Sequence, residues 1–264
     1  MIYLKTEEEI ELLRKANLLV SATLAEIAKI VKPGVTTRQM DTLAEQFIRD
    51  HGAVPTFKGF PNPYGPSFPA SICTSVNEVV VHGIPDDKEL KDGDIVSVDC
   101  GTFLDGFCGD SCYTFCVGEV APEVKALLRT TKESLYKGIE QCIVGRRLGD
   151  IGYAVQSHCE AEGYGVVREF VGHGIGREMH EEPQVPNYGR QGNGKQLKNG
   201  LCIAIEPMIT MHSPEIAMLP DRWGVITRDG GYAAHFEHTI AIHHGKADLM
   251  SSFEEIEEIE RQLN

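Results

Sequence analysis

The sequence is short of positive charge, long apolar runs and paired cysteine motifs. Across 264 residues, 25 Lys and Arg stand against 39 Asp and Glu, a formal charge of −14. Nucleic-acid binders concentrate positive charge, so a phosphate-binding groove is disfavoured. No stretch approaches the ~18 apolar residues of a membrane span. The opening Met1-Ile2-Tyr3-Leu4-Lys5, followed by Glu7-Glu8-Glu9, lacks the charged-then-apolar layout of a secretory signal. Eight cysteines form no C-x-x-C pair, which leaves a zinc ribbon or thioredoxin-type motif without support. Most sit in apolar runs such as Leu201-Cys202-Ile203-Ala204-Ile205, where a thiol behaves as a small hydrophobe. A cytoplasmic chain with reduced thiols is the expectation. What is present is ordinary for a globular protein, 42% hydrophobic and 24% charged, which excludes disorder and collagen.

Thr6 with Glu9 reads as a capping box, and Ile10, Leu13, Leu24, Ile27 and Ile30 continue one helical face until Lys32-Pro33-Gly34 stops it. A second helix is expected from Thr36 or Thr37 to Gly52. Strands are expected at 78–82 and 95–100, with a hairpin return over 107–115. Helices at 121–142 and 148–162 follow, then strands at 166–171 and 201–206. Arg228-Asp229-Gly230-Gly231 reads as a hairpin turn leading into 233–243, and the acidic tail from Ser252 as a solvated helix. The order helix, helix, strand, hairpin thus occurs twice. Gly34 to Gly52 and Gly145 to Gly163 are both 18 apart and bracket matching helices. The economical expectation is two half-domains of like topology, packed as one body over 1–264.

Several carboxylates occupy positions that belong inside. Asp99 closes Asp94-Ile95-Val96-Ser97-Val98-Asp99, and Asp110 lies eleven residues on, across the turn at Asp105-Gly106. A turn centred between Leu104 and Asp105 would set them directly opposite, and a shift by one residue would make them diagonal neighbours. Either way they share a face and repel. Glu206 ends the run 201–205, and Glu237 sits within the apolar stretch 233–242. A lone buried carboxylate costs several kcal/mol or turns neutral. Shared divalent cations explain four of them better. His173, between Gly172 and Gly174, adds one imidazole where glycines allow close approach. Two Asp, two Glu and one His carry four negative charges, enough to balance two divalent ions, and suit Mn, Fe or Co rather than a thiolate zinc site.

Other patterns fail on inspection. Gly172, Gly174 and Gly176 do not make G-x-G-x-x-G, and neither G-x-S-x-G nor Walker A occurs. His180-Glu181-Glu182-Pro183 begins like a metalloprotease helix, but Gln184 stands where a second histidine belongs. Cys108, Cys112 and Cys116 step along one strand face too widely to clamp one metal.

Together the motifs resemble bacterial type I methionine aminopeptidases. They are Val81-His82-Gly83-Ile84-Pro85, the 92–99 run ending at Asp99, Gly109-Asp110, Gly172-His173-Gly174-Ile175-Gly176, His180-Glu181-Glu182-Pro183, Ile205-Glu206-Pro207 and Glu237-His238-Thr239. The resemblance implies an α+β "pita-bread" fold, two pseudo-symmetric α/β halves with antiparallel sheet around a dinuclear metal site. It implies Asp99, Asp110, His173, Glu206 and Glu237 as ligands, the five already reached from charge. Asp99 would be bidentate on one ion, with Asp110 and Glu237 bridging. Glu206 would also be the general base, His180 would donate to the substrate carbonyl, and His82 would contact the scissile amide. Phe57, Phe68, Cys73, Met208 and the single Trp223 would line the methionine pocket. His235 and His238 are expected to face away from Glu237 as structural residues. Residues 58–67 are about five longer than in relatives, so either Phe60 or Tyr64 could take the usual aromatic place; Met179 stands where many relatives carry Phe.

The implied activity is hydrolysis after the initiator methionine of nascent proteins with a small second residue, using two divalent ions (Co, Mn or Fe(II)). A monomer without nucleic-acid or membrane partners is expected, and transient ribosome contact stays open. The alternatives are an Xaa-Pro-type peptidase of the same fold, disfavoured because only 98 residues precede Asp99, and a non-catalytic binding module, disfavoured because all five ligands persist. The type II enzymes insert a helical segment between the His and Glu motifs, whereas here only 33 positions (206 − 173) separate His173 from Glu206.

Overall fold

The computed structural model describes residues 1–263. Helix α1 (Glu7–Ala28) starts where the Thr6 side chain accepts the Glu9 N–H and Glu9 accepts the Thr6 N–H. Thr36 and Gln39 open α2 (Thr37–Asp50) in the same way. Helix α3 (Pro122–Ile139) begins on proline, whose missing N–H costs nothing in a first turn. Helix α4 (Leu148–Ala161) follows it. Between the helix pairs run β1 (Val54–Pro55), β2 (Ile72–Val76), β3 (Val79–Val81), β4 (Ile95–Leu104) and β5 (Phe107–Cys116). After α4 come β6 (Gly165–Val166), β7 (Gly172–Gly174), β8 (Glu181–Val185), β9 (Cys202–Ile205) and β10 (Met208–Thr210). The last are β11 (Ile216–Met218), β12 (Val225–Thr227), β13 (Ala233–His235), β14 (Glu237–His243), β15 (Lys246–Leu249) and α5 (Glu254–Leu263).

The main sheet of the described residues runs β1-β4-β5-β14-β9-β7-β8, with β2 also on β4 and β15 on β14. Its pairings are antiparallel. The seam between β5 and β14 relates two similar halves: the β4–β5 hairpin packed under α1, and the β9–β14 pair beside α3, on which α4 packs in turn. This is the α+β pita-bread arrangement. The core is continuous across the seam, joining Leu24, Ile48 and Val98 to Leu127, Ile203 and Phe236. No helix of the described residues is long and apolar enough to cross a membrane.

Four expectations need correction. The strand expected at 166–171 is only β6, with β7 starting at Gly172; residues 167–171 carry the chain from one sheet to another. Arg228–Gly231 is not a hairpin turn: β12 pairs with β11 and β3, whereas β13 pairs with β10. The strand expected over 233–243 breaks at Phe236, where the chain switches sheets. The tail helix is docked rather than solvated. Ile256 is fully buried, Tyr113 donates to Glu260 at 2.7 Å and Lys132 pairs with Glu257 at 2.8 Å.

Candidate metal centre

Strand register gathers the carboxylates. Asp105 and Gly106 both have positive φ, +51° and +85°, the type I′ geometry that suits a two-residue hairpin. This turn pairs Leu104 with Phe107, so Asp99 lies opposite Cys112 and Asp110 opposite Gly101. Of the two expected registers, the diagonal one forms. Cys112 is in turn opposite Glu237, and His238 opposite Ile205, which brings Glu206 alongside Glu237. Asp99, Cys112, Glu237 and Glu206 therefore make one row across four strands, with Asp110 two residues along β5 on the same face.

The backbone under this row is fixed by polar groups. Asn17, fully buried on α1, accepts the Asp110 N–H at 3.0 Å and donates to Leu13 O at 2.9 Å. Thr239 donates to Asp110 O at 2.9 Å, Ser111 to Glu237 O at 2.6 Å, and Asn187 to Glu206 O at 2.9 Å. The close approach of α1 requires Gly109, because a Cβ there would lie 2.5 Å from the Ala16 carbonyl carbon. Gly172 and Gly174 likewise abut the carbonyls of Ala204 and Glu182, which leaves no room for side chains flanking His173.

The His173 ring is oriented toward the carboxylates. Its Nδ1 lies 2.9 Å from Gly174 O, an acceptor, so the proton resides on Nδ1. The Nε2 lone pair faces Asp110 at 3.4 Å and Glu206 at 3.6 Å. Burial lowers the His173 pKa to about 4 and keeps the ring neutral. Asp99, Glu206 and Glu237 have carboxyls pushed well above their usual range, first by burial and then by the neighbouring carboxylates, Asp110 foremost. Asp110 is raised to about 8, chiefly by burial. Asp99 keeps a small accessible area in the cleft although it lies deep in the molecule.

A divalent-ion centre fits this set. Asp99 Oδ1, Asp110 Oδ1 and Glu237 Oε1 are shielded from solvent without hydrogen-bond partners. Ligand atoms of Asp110, His173 and Glu237 lie within 4.8 Å of one another. The donors are hard oxygens with one imidazole, turned toward them by the Gly174 carbonyl.

The same residues form the floor of a cavity of about 160 Å³, walled by Phe57, Phe60, Phe68, Cys73 and Trp223. His82 and His180 also line it. His82 adopts φ +58° and packs edge-on to Phe170 and Trp223, with ring centroids 5.3 and 6.4 Å away. Burial, then the neighbouring His180, lowers its pKa to about 4. His180 stands exposed at the rim, its ring 4.5 Å from that of His173 and 5.4 Å from Phe60. Desolvation by the cleft, then His173, lowers its pKa too.

Of the two aromatics in 58–67, Phe60 lines the cavity, while Tyr64 is 77% exposed. That segment is tied to the opposite wall: Asn62 donates to Arg222 O at 3.0 Å, and the Trp223 indole N–H to Pro66 O at 2.9 Å. Met208 is not a lining residue. It is fully buried with Val80, Val81, Val167 and Val225, because β10 turns its side chain into that smaller core. His180-Glu181-Glu182-Pro183 leads into strand β8, not a metalloprotease helix.

Three supporting residues escape sequence reasoning. Asn17 was readable as a polar residue on an apolar helix face, whereas Asn187 carries no local signal. His235 does not face away from the cluster. A period of two places it on the side of Glu237, and its buried, unpartnered Nε2 lies 3.7 Å from Glu206. His238 does face away, with Nδ1 2.7 Å from Ser251 Oγ and its ring stacked 3.8 Å from Phe253.

Comparison with known proteins agrees with this geometry. The profile of metallopeptidase family M24 matches residues 11–244. A methionine aminopeptidase of Clostridium perfringens is 52% identical over 242 residues, covering 92% of this chain and 95% of that protein. The crystal structure of a methionine aminopeptidase from Thermotoga maritima superposes with a TM-score of 0.92 at 42% identity, covering 96% of this chain and 100% of that one. A Rickettsia prowazekii methionine aminopeptidase structure gives 0.91 at 44% identity, with coverage of 96% and 100%. The chain belongs to metallopeptidase family M24, on the branch of the methionine aminopeptidases.

Proposed function

We propose that the chain is a metal-dependent aminopeptidase that hydrolyses the peptide bond after an amino-terminal methionine, with preference for a small second residue. The observation that carries this reading is the five-ligand cluster at the floor of a small cavity walled by aromatics and one thiol. At about 160 Å³ the cavity is below the ~300–1,000 Å³ of drug-sized sites and fits a single side chain. A flexible thioether suits such a wall through sulfur–aromatic contacts. His82, held between Phe170 and Trp223, narrows the space for the second residue.

Asp99, Asp110, His173, Glu206 and Glu237 would hold two divalent ions (Co, Mn or Fe(II)), which when bound supply Lewis-acid polarisation of the scissile carbonyl and a lowered pKa for water. Glu206 accepts a proton from the attacking water and passes it to the leaving amine. Neutral His180 donates to the carbonyl oxygen as negative charge develops there. His82 orients the scissile amide, and Phe57, Phe60, Phe68, Cys73 and Trp223 exclude water from around the side chain. The Cys73 thiol, whose pKa burial raises well above its usual value, stays protonated. Action on nascent chains in the cytoplasm, by residues 1–264 as one monomeric catalytic unit, belongs to the same proposal and rests on the resemblance.

The test is release of free methionine from Met-Ala-Ser, with Met-Leu-Ser and Ala-Pro-Ala as controls. Chelator-stripped protein is resupplied with Co, Mn or Fe(II), beside a Glu206→Gln variant. Metal-dependent cleavage of Met-Ala-Ser alone, lost in the variant, is expected. Cleavage of only the proline peptide would move the assignment to Xaa-Pro hydrolysis, and silence with every metal would favour a binding module.

A further inference from the structure

We propose that Glu7, His243 and His244 form a second, surface site for one transition-metal ion of the zinc, nickel or copper type. None of the three lines the cleft, so the site is independent of the reading given above. The β14–β15 hairpin pairs His243 with Lys246 and leaves His244-Gly245 as a two-residue turn, with φ of +48° and +87°. Glu7 opens α1 beside it. One ligand atom from each of Glu7, His243 and His244 lies within 4.8 Å of the others.

His243 is oriented as a ligand. Its Nδ1 lies 3.4 Å from Asp248 Oδ2, and Arg14 holds that carboxylate at 2.7 Å. A carboxylate only accepts, so the neutral ring carries its proton on Nδ1 and presents a lone pair at Nε2. That Nε2 is shielded from solvent, has no hydrogen-bond partner and lies 3.8 Å from Glu7 Oε1. A metal-bound histidine commonly donates its other ring N–H to a carboxylate, which fixes its tautomer and orientation. The His244 ring lies against that of His243, centroids 3.8 Å apart and tilted by 30°, and is exposed to solvent.

Two imidazoles and one carboxylate, with the remaining positions open to water, favour zinc, nickel or copper over magnesium, calcium or manganese. An ion there would join the start of α1 to the β14–β15 hairpin. Its role is structural: α1 also carries Asn17, which fixes the Asp110 backbone.

The test uses protein whose catalytic ions are manganese, dialysed against zinc buffered at low micromolar free concentration, with total bound metal measured by mass spectrometry. The wild type is expected to hold one more ion per chain than each of Glu7→Gln, His243→Gln and His244→Asn. Zinc is also expected to raise the thermal midpoint of the wild type but not of the variants. Exchange of zinc for manganese in the cleft leaves that difference of one unchanged. Glu7→Gln alters an exposed side chain, and asparagine tolerates the left-handed conformation at 244, so these two decide the matter if His243→Gln folds poorly. Equal metal content in the wild type and these two variants overturns the proposal and leaves His243 a hydrogen-bond partner of Asp248 beside Glu7.

Discussion

Asn17→Ala is the most informative change outside the candidate ligands. Asn17 is fully buried, and its carboxamide makes two hydrogen bonds, one of them from the Asp110 N–H at 3.0 Å. Alanine leaves that amide buried without a partner, a penalty of about 1–3 kcal/mol. A loss near 2 kcal/mol corresponds to a fall of about 4–8 °C in thermal midpoint for a chain of this size. The Asp110 backbone, then held on one side only by Thr239, should let its carboxylate wander, and loss of such outer support typically costs ~10–100-fold in metal affinity. Thermal unfolding of the stripped protein and a manganese titration read the two effects separately. A midpoint within about 1 °C of wild type, together with unchanged manganese affinity, would refute the argument that α1 positions this carboxylate.

Other consequences follow from the same geometry. His235→Ala should lower kcat by about 10–100-fold with little change in KM, and His235→Gln should restore much of it by again placing a polar group beside Glu206; equal rates in both variants would remove His235 from any positioning role. Burial holds the Asp110 carboxyl up to about 8 in the metal-free fold, and Asp99, Glu206 and Glu237 are raised with it, against ~3.9–4.3 unfolded, so the folded state binds the extra protons and this stability is fully present below the lower values. Metal-free protein should therefore lose thermal stability as pH rises from ~4 toward 8, a slope that saturating manganese should flatten; a flat metal-free profile contradicts it. Gly109→Ala forces a methyl against the α1 backbone, and a midpoint unchanged from wild type would mean that the helix can retreat at no cost.

Much of the site was legible because its chemistry conflicts with its surroundings. Asp99, Asp110, Glu206 and Glu237 stand out as charges at positions that strand periodicity assigns to the interior. The repeated helix-helix-hairpin order likewise shows in glycine spacing and capping signals. Three- and two-residue strands such as β6, β10 and β13 are a different matter, because their pairing is decided by distant partners and leaves almost no periodic signal. Arg228-Asp229-Gly230-Gly231 has good turn chemistry, yet Asp229 there accepts the Gly231 and Ser213 N–H groups and the chain passes between sheets. Met208 is misread for a related reason. Adjacency to Glu206 in sequence suggests the pocket, but the turn into β10 sends the side chain into the smaller core with Val80, Val81 and Val225.

The central claim is that these five side chains form a two-ion centre. Anomalous scattering at the manganese edge from loaded crystals tests it most directly. Two peaks ~3.5–4 Å apart, each bounded by oxygens of Asp110 and Glu237, with Asp99 on one ion and His173 and Glu206 on the other, are predicted. No peak among these residues, in crystals of protein that still releases methionine, would contradict the account.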